Sequence, residues 1–384
     1  MFNRLLLTDL VLPPHIIGLP NVRGHCFLTT VLVMLMRSHS FVRCLFRVNQ
    51  EVTSDVNSGV ELNPLNRDVL YSFGEVPFLW TRAFFRFFRL YLKVSRSGRL
   101  DLLNLPLGLW PHYGSGDATK VKPDVDLSLD NLMMLICRLL GNFVRADYLS
   151  PGGKEEVFYS DLMLQLRRES SEFVLTAHVL LSVSFVCADC ESQFDNHPVA
   201  LPYVFLRDFL GSGVSGFCDF IADFVHLLPQ QLITCIGSFG GKICNSDRLS
   251  FSSHEIVSIP SLLVFRFPDL GSSGISGQMT PDELTITWSS EILHYRRIAY
   301  SCDYRVYDGG VDSESFRFPT SSEAFLGWHS IAHVLTTRGW LEYNNGREGL
   351  PSPALLGGHT SYSLVFYDMD NSFVPEPSIC FEEK

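Results

Sequence analysis

A cysteine near the start of the chain and its candidate partners near the end place the strongest constraint on the fold. Cys26 directly precedes an apolar stretch, and His329, far along the chain, is followed after a short interval by Asn344. A thiol, a distant imidazole and a carboxamide soon after it are the side chains that a cysteine nucleophile uses in acyl transfer. A fold that uses them together must bring both ends of the chain into contact.

The spacing of apolar residues divides the chain into a helical first part and a strand-rich remainder. Residues 27–46, 68–96 and 127–144 have the spacing of amphipathic helices, whereas Pro and Gly mark residues 14–20 and 97–126 as loops. β-Branched and aromatic residues predict strands at residues 173–186, 255–267, 284–288, 304–307, 329–336 and 362–367. This order predicts an α+β fold.

Composition and charge exclude several classes of protein. Hydrophobic residues make up 46% of the 384 residues, which is enough for a large core, and only 18% are charged, which argues against disorder. The net charge of −11, with no basic face, argues against nucleic acid as the main partner. An acidic surface instead favours a basic protein partner.

The chain lacks the usual signs of membrane insertion or secretion. No apolar run reaches the length that crosses a bilayer, so we expect no membrane partner. Asp9 interrupts the short apolar run at the N-terminus and no small-residue cleavage site follows, which makes a poor signal peptide. Ten cysteines in such a chain indicate reduced thiols, so a cytoplasmic and/or nuclear location is expected.

Five segments of the chain carry recognisable motifs. They are Gly-Leu-x-Asn at 18–21 leading to Cys-Phe-Leu at 26–28, Cys-x-x-Cys at 187–190, Ile-Pro-Ser-Leu-Leu at 259–263 leading to Arg-Phe at 266–267, His-x-x-Ala-His-Val at 329–334 leading to Trp-x-x-Tyr-Asn-Asn at 340–345, and Ser-Tyr-Ser-Leu-Val-Phe-Tyr at 361–367. The first resembles the cysteine box of the ubiquitin-specific protease family of deubiquitinases, and the fourth resembles its histidine box. The others are similar to the start of its zinc-holding fingers, the strand that enters its palm and its last strand.

The resemblance implies a papain-like cysteine protease fold of the ubiquitin-specific protease type. It implies one catalytic domain over residues 14–370, with a helical thumb at about 14–150, β-rich fingers at 151–250, a palm at 251–370 and a tail at 371–384. The implied activity is that of a cysteine-type deubiquitinase, which hydrolyses the isopeptide or peptide bond at the C-terminus of ubiquitin. The expected partners are therefore ubiquitin and ubiquitinated proteins.

The family motifs assign a role to each candidate catalytic residue. Cys26 would be the nucleophile, His329 the general base and acid, and Asn344 the residue that orients the imidazole. Asn21 would stabilise the oxyanion, and Asn345 would donate a hydrogen bond to the oxyanion or to a bound water. Each residue also has a structural interpretation when taken alone, namely a buried thiol, a core or surface histidine, a loop-capping asparagine or a turn.

Two motifs depart from the family pattern. Arg23-Gly24-His25 replaces the usual Gly-Asn-Thr before the cysteine, and His25 is a poor candidate base because neighbouring side chains on a tight turn diverge. The family's Gln-Asp-Ala-x-Glu element is reduced to Leu-Asp-Asn-Leu-Met at residues 129–133. Asp130 is expected either to pair with an arginine of the ubiquitin tail or to be a solvated residue at a helix start.

The chemistry requires no cofactor, but the fingers could contain a structural zinc ion. Such a site needs four Cys or His ligands, commonly as two Cys-x-x-Cys pairs. Cys187 and Cys190 form one pair, whereas Gly241 stands where the partner of Cys244 is expected. Cys235, His254 or another histidine would then complete the site, or the fingers stand without metal.

Two other functions remain open from the sequence. A non-catalytic module of the same architecture would bind ubiquitin, or act as a scaffold, without cleaving a ubiquitin amide. A papain-like protease of another specificity would have no use for long fingers, so a structure without them would favour it. The divergence next to Cys26 and the reduced element around Asp130 are the features that support the non-catalytic alternative.

Overall fold

Helices precede strands in the part of the chain that the computed structural model describes. These residues are 18–19, 25–55, 80–81, 83–85, 87–88, 91, 133, 136–137, 140–141, 144–149, 153–205, 235, 237–239, 241–267, 282–288, 291–307, 325–336, 339–344, 350–351 and 361–369. The helices are α1 (Cys26–Arg37), α2 (His39–Asp55), a short 3₁₀ helix (Ala146–Leu149), α3 (Glu155–Glu169) and α4 (Ser171–Ala177). Further described residues at 80–91 and 133–141 are also helical.

Thirteen strands are present among the same residues. They are β1 (Val179–Cys187), β2 (Gln193–Leu201), β3 (Val204–Phe205), β4 (Ser238–Phe239), β5 (Lys242–Ile243), β6 (Leu249–Ser258), β7 (Leu262–Arg266), β8 (Glu283–Trp288), β9 (Glu291–Tyr307), β10 (Phe325–Thr336), β11 (Gly339–Tyr343), β12 (Leu350–Pro351) and β13 (Ser361–Asp368). They contain the predicted strands at 284–288, 304–307, 329–336 and 362–367. The predicted strand at 255–267 is two strands, β6 and β7.

The chain forms two compact units. The first contains Met1–Ser170 and Ala299–Ala354, and the second contains Ser171–Ile298 and Leu355–Lys384. Among the described residues, no helix is both long enough and apolar enough to cross a bilayer.

Helix α1 is the buried central helix of the first unit. All twelve residues from Cys26 to Arg37 are buried, which agrees with their almost continuous apolar sequence. The sequence predicted one helix over residues 27–46, and this was wrong, because Ser38 has an extended backbone and separates α1 from α2. The Ser38 hydroxyl accepts a hydrogen bond from the backbone N–H of Phe41 at 3.1 Å, which caps the start of α2.

Helices α3 and α4 follow each other with a single residue between them. Helix α3 has two glutamates in its first turn and two arginines in its last turn, so its charges match the helix dipole. The sequence predicted a strand from residue 173, but residues 171–177 are helical. Phe173 and Ala177 are both buried, whereas Leu175, which would share their face in a strand, is 54% exposed, so the burial follows the period of a helix.

The sheet of the first unit has the strand order β12-β11-β10-β9. Strand β10 pairs antiparallel with β9, where His329 is opposite Tyr304, and with β11, where Ala332 is opposite Tyr343. Helix α1 packs on β10 and on α3. The side chain of Arg37, at the end of α1, donates a hydrogen bond from Nε to the carbonyl oxygen of Leu335 in β10. This sheet therefore holds the early helix against the late strands.

The second unit contains antiparallel hairpins and a three-stranded sheet. The three-stranded sheet has the order β2-β1-β6, with β1 antiparallel to both neighbours. Strand β7 pairs antiparallel with β13 and parallel with β3. Strand β8 forms a hairpin with residues 291–296 of β9, which belong to the second unit. The short strands β4 and β5 form another hairpin.

Candidate active site

The thiol of Cys26 lies in the first turn of a helix. Cys26 begins α1 and is 4% exposed. The carbonyl of His25 accepts the first hydrogen bonds of the helix, from the N–H groups of Leu28 at 3.1 Å and Thr29 at 3.2 Å. The first turn contains no acidic residue, so the positive end of the helix dipole favours a negative charge on the sulfur.

The imidazole of His329 faces this thiol from strand β10. His329 is half-buried, and α1 packs on the strand that carries it. A hydrogen bond joins the side chains of Cys26 and His329. The structure therefore brings together the two residues that the sequence paired across almost the whole chain.

Asn344 holds the other side of the imidazole. Its Oδ1 atom is 2.9 Å from Nε2 of His329. A carboxamide oxygen only accepts, so Nε2 is the protonated ring nitrogen that donates, which leaves Nδ1 for the thiol. Asn344 directly follows β11, whose register places Tyr343 opposite Ala332, so Asn344 comes opposite Ile331 and on the same face as His329.

The surroundings of Cys26 favour its thiolate. Burial alone would raise the pKa of the Cys26 thiol, but the hydrogen bond with His329, the backbone N–H of Ser330 and the charge of His329 together lower it from its ordinary value. The backbone N–H of Phe27 acts in the same direction. A buried thiol with a lowered pKa beside an imidazole is the arrangement that nucleophilic catalysis requires.

Two groups of this site were not predicted from the sequence. The N–H groups of Ser330 and Phe27 contribute through the main chain. Every residue except proline carries such a group, so no sequence signal distinguishes them. Only their placement, one on β10 beside His329 and one on α1 beside Cys26, gives them a function.

Three predicted site residues lie outside the described residues. They are Asn21, Asn345 and Asp130. The described part of the site therefore consists of Cys26, His329, Asn344 and the main chain around them.

The second unit contains a separate cluster of four cysteines. Their sulfur atoms all lie within 4.8 Å of one another, and the residues are Cys187, Cys190, Cys235 and Cys244. Cys187 is the last residue of β1 and Cys190 follows it in the next turn, whereas Cys235 and Cys244 flank the β4–β5 hairpin. The structure thus brings together the four cysteines that the sequence proposed, although only one pair has the Cys-x-x-Cys spacing.

The main chain around this cluster forms two tight turns. Glu191 and Asn245, each directly after a cysteine, have positive φ angles of 56° and 51°. A side chain at Gly237 would meet the Ser192 hydroxyl at 2.7 Å, so the close approach of the two turns requires glycine. The hydrogen bond with Ser192 lowers the pKa of Cys190 to about 6. Four sulfur atoms this close together fit the ligand set of a tetrahedral zinc ion.

Comparisons with known proteins identify the fold. No protein-family model matches the sequence, and no curated protein matches it significantly. Among solved structures, the chain is similar to the SAGA DUB (deubiquitinase) module of Ubp8, Sgf11, Sus1 and Sgf73 bound to monoubiquitin, with a TM-score of 0.51 and 12% identity over 95% of this chain and 72% of that chain. The same module bound to ubiquitin aldehyde gives a TM-score of 0.49 and 12% identity over 94% and 71% of the two chains.

The first of these similarities confirms the predicted fold class. The chain has an α+β fold of the ubiquitin-specific protease type. In the described part of the chain the helices precede the strands, as the sequence predicted. At 12% identity the likeness concerns the fold alone.

Proposed function

We propose that the chain is a cysteine-type deubiquitinase, which hydrolyses the isopeptide or peptide bond at the C-terminus of ubiquitin. The observation that carries this proposal is the line of three side chains within one unit. A hydrogen bond joins Cys26 and His329, and His329 Nε2 donates a second hydrogen bond to Asn344 Oδ1 at 2.9 Å. Both lie in a fold of the ubiquitin-specific protease type. This line supplies a nucleophile, a base and an orienting group in the order that acyl transfer needs.

The proposed reaction has two steps. The Cys26 sulfur attacks the carbonyl carbon of the scissile amide, and its proton resides on His329. The imidazolium then gives this proton to the departing amine, and the C–N bond breaks to leave a thioester on Cys26. In the second step His329 takes a proton from water, whose oxygen attacks the thioester carbonyl carbon. The C–S bond then breaks to give the free carboxyl end of ubiquitin, and the departing sulfur of Cys26 regains its proton from His329. Asn344 keeps the imidazole in one tautomer and orientation throughout.

The remaining predicted site residues extend this proposal. We assign Asn21 to the oxyanion, Asn345 to the oxyanion or a bound water, and Asp130 to an arginine of the ubiquitin tail. These assignments are supported by the positions of the residues in the family motifs. The proposal also includes one catalytic domain over residues 14–370, with ubiquitin and ubiquitinated proteins as partners and a cytoplasmic and/or nuclear location. Among the described residues no cysteine forms a disulfide, which agrees with a reducing compartment.

A structural zinc ion is part of the proposal. Cys187, Cys190, Cys235 and Cys244 would hold it as four thiolate ligands, and their sulfurs are already close enough for a single ion. The ion would connect the end of β1 to the β4–β5 hairpin in the second unit, and it has no role in the cleavage. The β2-β1-β6 sheet beside it, with strands of nine to ten residues, fits long fingers rather than a papain-like protease without them.

Reaction with ubiquitin that carries a C-terminal electrophile tests the proposed function. We expect the folded protein to form a covalent adduct, and Cys26→Ala to form none because the nucleophile is missing. Cys137→Ala is the matched control, since burial raises the pKa of that thiol to about 12 and keeps it protonated. The readout is intact-protein mass spectrometry.

The same experiment separates the two main functions. Absence of an adduct from folded wild-type protein, or an unchanged adduct in Cys26→Ala, would exclude the deubiquitinase. Ubiquitin binding without adduct formation, and without cleavage of diubiquitin, would support the non-catalytic binding module instead.

A further inference from the structure

A histidine adjacent to the nucleophile is fixed in the interior of the first unit. His25 is 1% exposed, and its Nε2 atom is 3.1 Å from the carbonyl oxygen of Tyr148. A carbonyl oxygen only accepts hydrogen bonds, so Nε2 of His25 carries a proton and donates it. This nitrogen is therefore occupied and is not free to act as a base for Cys26.

Tyr148 is itself held from the opposite side. Its hydroxyl donates to Oδ2 of Asp161 at 2.6 Å, and Nε of Arg145 reaches the same oxygen at 2.7 Å. Asp161 belongs to α3 and is 6% exposed. Burial and the neighbouring Asp161 raise the pKa of Tyr148, so its hydroxyl remains a donor at all working pH values.

Aromatic packing closes the space between these hydrogen bonds. The rings of Phe27, Tyr148 and Phe158 contact one another with centroid distances of 6.0 to 6.2 Å, and the His25 ring is 5.7 Å from Phe27. The two residues on either side of Cys26 are thus packed against the 3₁₀ helix and α3. A shift of His25 would also shift the carbonyl that begins the hydrogen bonding of α1.

We propose that His25 is a positioning residue, which acts through Tyr148 and Asp161 to fix the first turn of α1 so that the Cys26 sulfur faces His329. The expected effect of His25 on turnover rests on the proposed deubiquitinase function, whereas its expected effect on the reactivity of Cys26 does not. The resemblance offers no counterpart, because the family usually has threonine at this position. A threonine has no side chain long enough to make this link. His25 is instead connected through Tyr148 to Asp161 on α3.

Two substitutions of His25 test this role. Gln has an amide N–H that can reach the Tyr148 carbonyl, whereas Leu has similar bulk and no donor. We expect His25→Leu to lower kcat on a fluorogenic ubiquitin amide by about 10–100-fold with KM unchanged, because a small misplacement of reacting atoms costs rate rather than binding. His25→Gln should restore kcat to within about threefold of wild type.

Alkylation of Cys26 by iodoacetamide provides a second readout that does not need ubiquitin. If the sulfur moves away from His329, the alkylation midpoint of His25→Leu should shift to higher pH, and that of His25→Gln should not. His294→Leu, on the exposed part of β9, is the matched control for the same chemical change. A chain that cleaves no ubiquitin but shows the shift would contradict the proposed function and support the positioning role.

The proposal would be overturned by His25→Leu with wild-type kcat and a wild-type alkylation profile. Equal losses in the Leu and Gln variants, both folded by circular dichroism, would also overturn it. Should His25→Leu fail to fold, Tyr148→Phe decides, since it removes only the hydroxyl that bonds to Asp161. A raised alkylation midpoint in Tyr148→Phe would support the proposal, and an unchanged one would exclude it.

Discussion

Cys26 and Cys137 are both buried thiols of the first unit, yet their pKa values move in opposite directions. Burial is the only cause at Cys137 and raises its pKa to about 12. At Cys26 burial acts in the same sense, but the His329 side chain and nearby N–H groups outweigh it. The pKa of a buried thiol, and with it the reactivity of that thiol, is thus determined by the groups that contact the sulfur rather than by burial alone.

The lowered pKa of Cys26 gives a pH prediction. Only the thiolate reacts with iodoacetamide, so the rate at Cys26 should rise with pH and reach half its maximum at a lower pH than for an ordinary cysteine thiol. His329→Ala removes a hydrogen bond and a charge that favour the thiolate while burial remains, so the midpoint should move up. Mass spectrometry of the Cys26 peptide measures this, with His294→Ala as the exposed control. An unmoved midpoint in His329→Ala would contradict the pairing.

Asn344 is expected to act by orientation. Asn344→Ala removes the acceptor for Nε2 of His329, so kcat should fall by ~10–100-fold with little change in KM. Asn344→Asp keeps an acceptor oxygen at the same place and should retain most of the activity. Steady-state kinetics on a fluorogenic ubiquitin amide distinguishes the two. Equal kcat values for the Ala and Asp variants would argue against an orienting role.

Side-chain chemistry explains which site residues the sequence could provide. Cys26, His329 and Asn344 were predicted because few residue types serve these roles and because they occur within family motifs. The contributions of the Ser330 and Phe27 main chain could not be predicted, since they depend only on where a strand and a helix meet. The anchor of His25 on Tyr148 joins residues far apart in the sequence and was likewise invisible.

At the scale of elements, α1 is positioned by close packing as well as by hydrogen bonds. A Cβ atom added at Gly153 would lie 2.7 Å from Cζ of Phe27. Phe27 is fully buried and contacts Tyr148 and Phe158, so its ring has no room to yield. The glycine just before α3 is therefore part of the packing beneath the nucleophile.

Gly153→Ala should consequently destabilise the protein. We expect the free energy of unfolding to fall by about 1–3 kcal/mol, as overpacking of a core does. Phe27→Leu in the same chain would remove the clashing ring atoms, so the double variant should lose less than the sum of the two single losses. Urea denaturation of the four proteins gives this coupling. Additive losses would show that the clash does not occur.

Element boundaries show where sequence patterns fail and why. The apolar spacing of residues 27–46 is helical throughout, yet Ser38 uses its hydroxyl to cap α2 and divides the segment. Residues 173–177 have strand-like composition, but Phe173 and Ala177 are buried while Leu175 between them is exposed, which is the pattern of a helix. Local propensity was overridden in both places by a hydrogen bond or a buried contact that a window of sequence does not contain.

At the scale of the whole molecule, the order of the motifs predicted the fold even though no family model matches the sequence. The cysteine cluster shows the limit of spacing as a guide. Cys235 and Cys244 are separated by the β4–β5 hairpin rather than by two residues, so they become neighbours only when the hairpin closes. A pattern search for two Cys-x-x-Cys pairs misses such a site.

The proposed zinc site at the four cysteines gives a prediction of metal content. The purified protein should contain about one zinc ion per chain, and chelation should lower its melting temperature because metal binding contributes folding free energy. Cys244→Ser should lose the metal, whereas Cys44→Ala, a buried cysteine of α2, should keep it. Because thiolate ligands must shed protons, zinc affinity should rise with pH. Elemental analysis checks the content, and full zinc in Cys244→Ser would refute this site.

The placement of Cys26 on the first described helix, of His329 on β10 and of Asn344 just after β11 has a consequence for biosynthesis. A ribosome adding about 5–20 residues per second makes the sulfur roughly 15–65 s before the carboxamide. During that interval the nascent polypeptide carries a thiol without its imidazole. On the proposed function, translation itself therefore delays assembly of the catalytic groups, and a product released early by premature termination would lack the residues that hydrolysis requires.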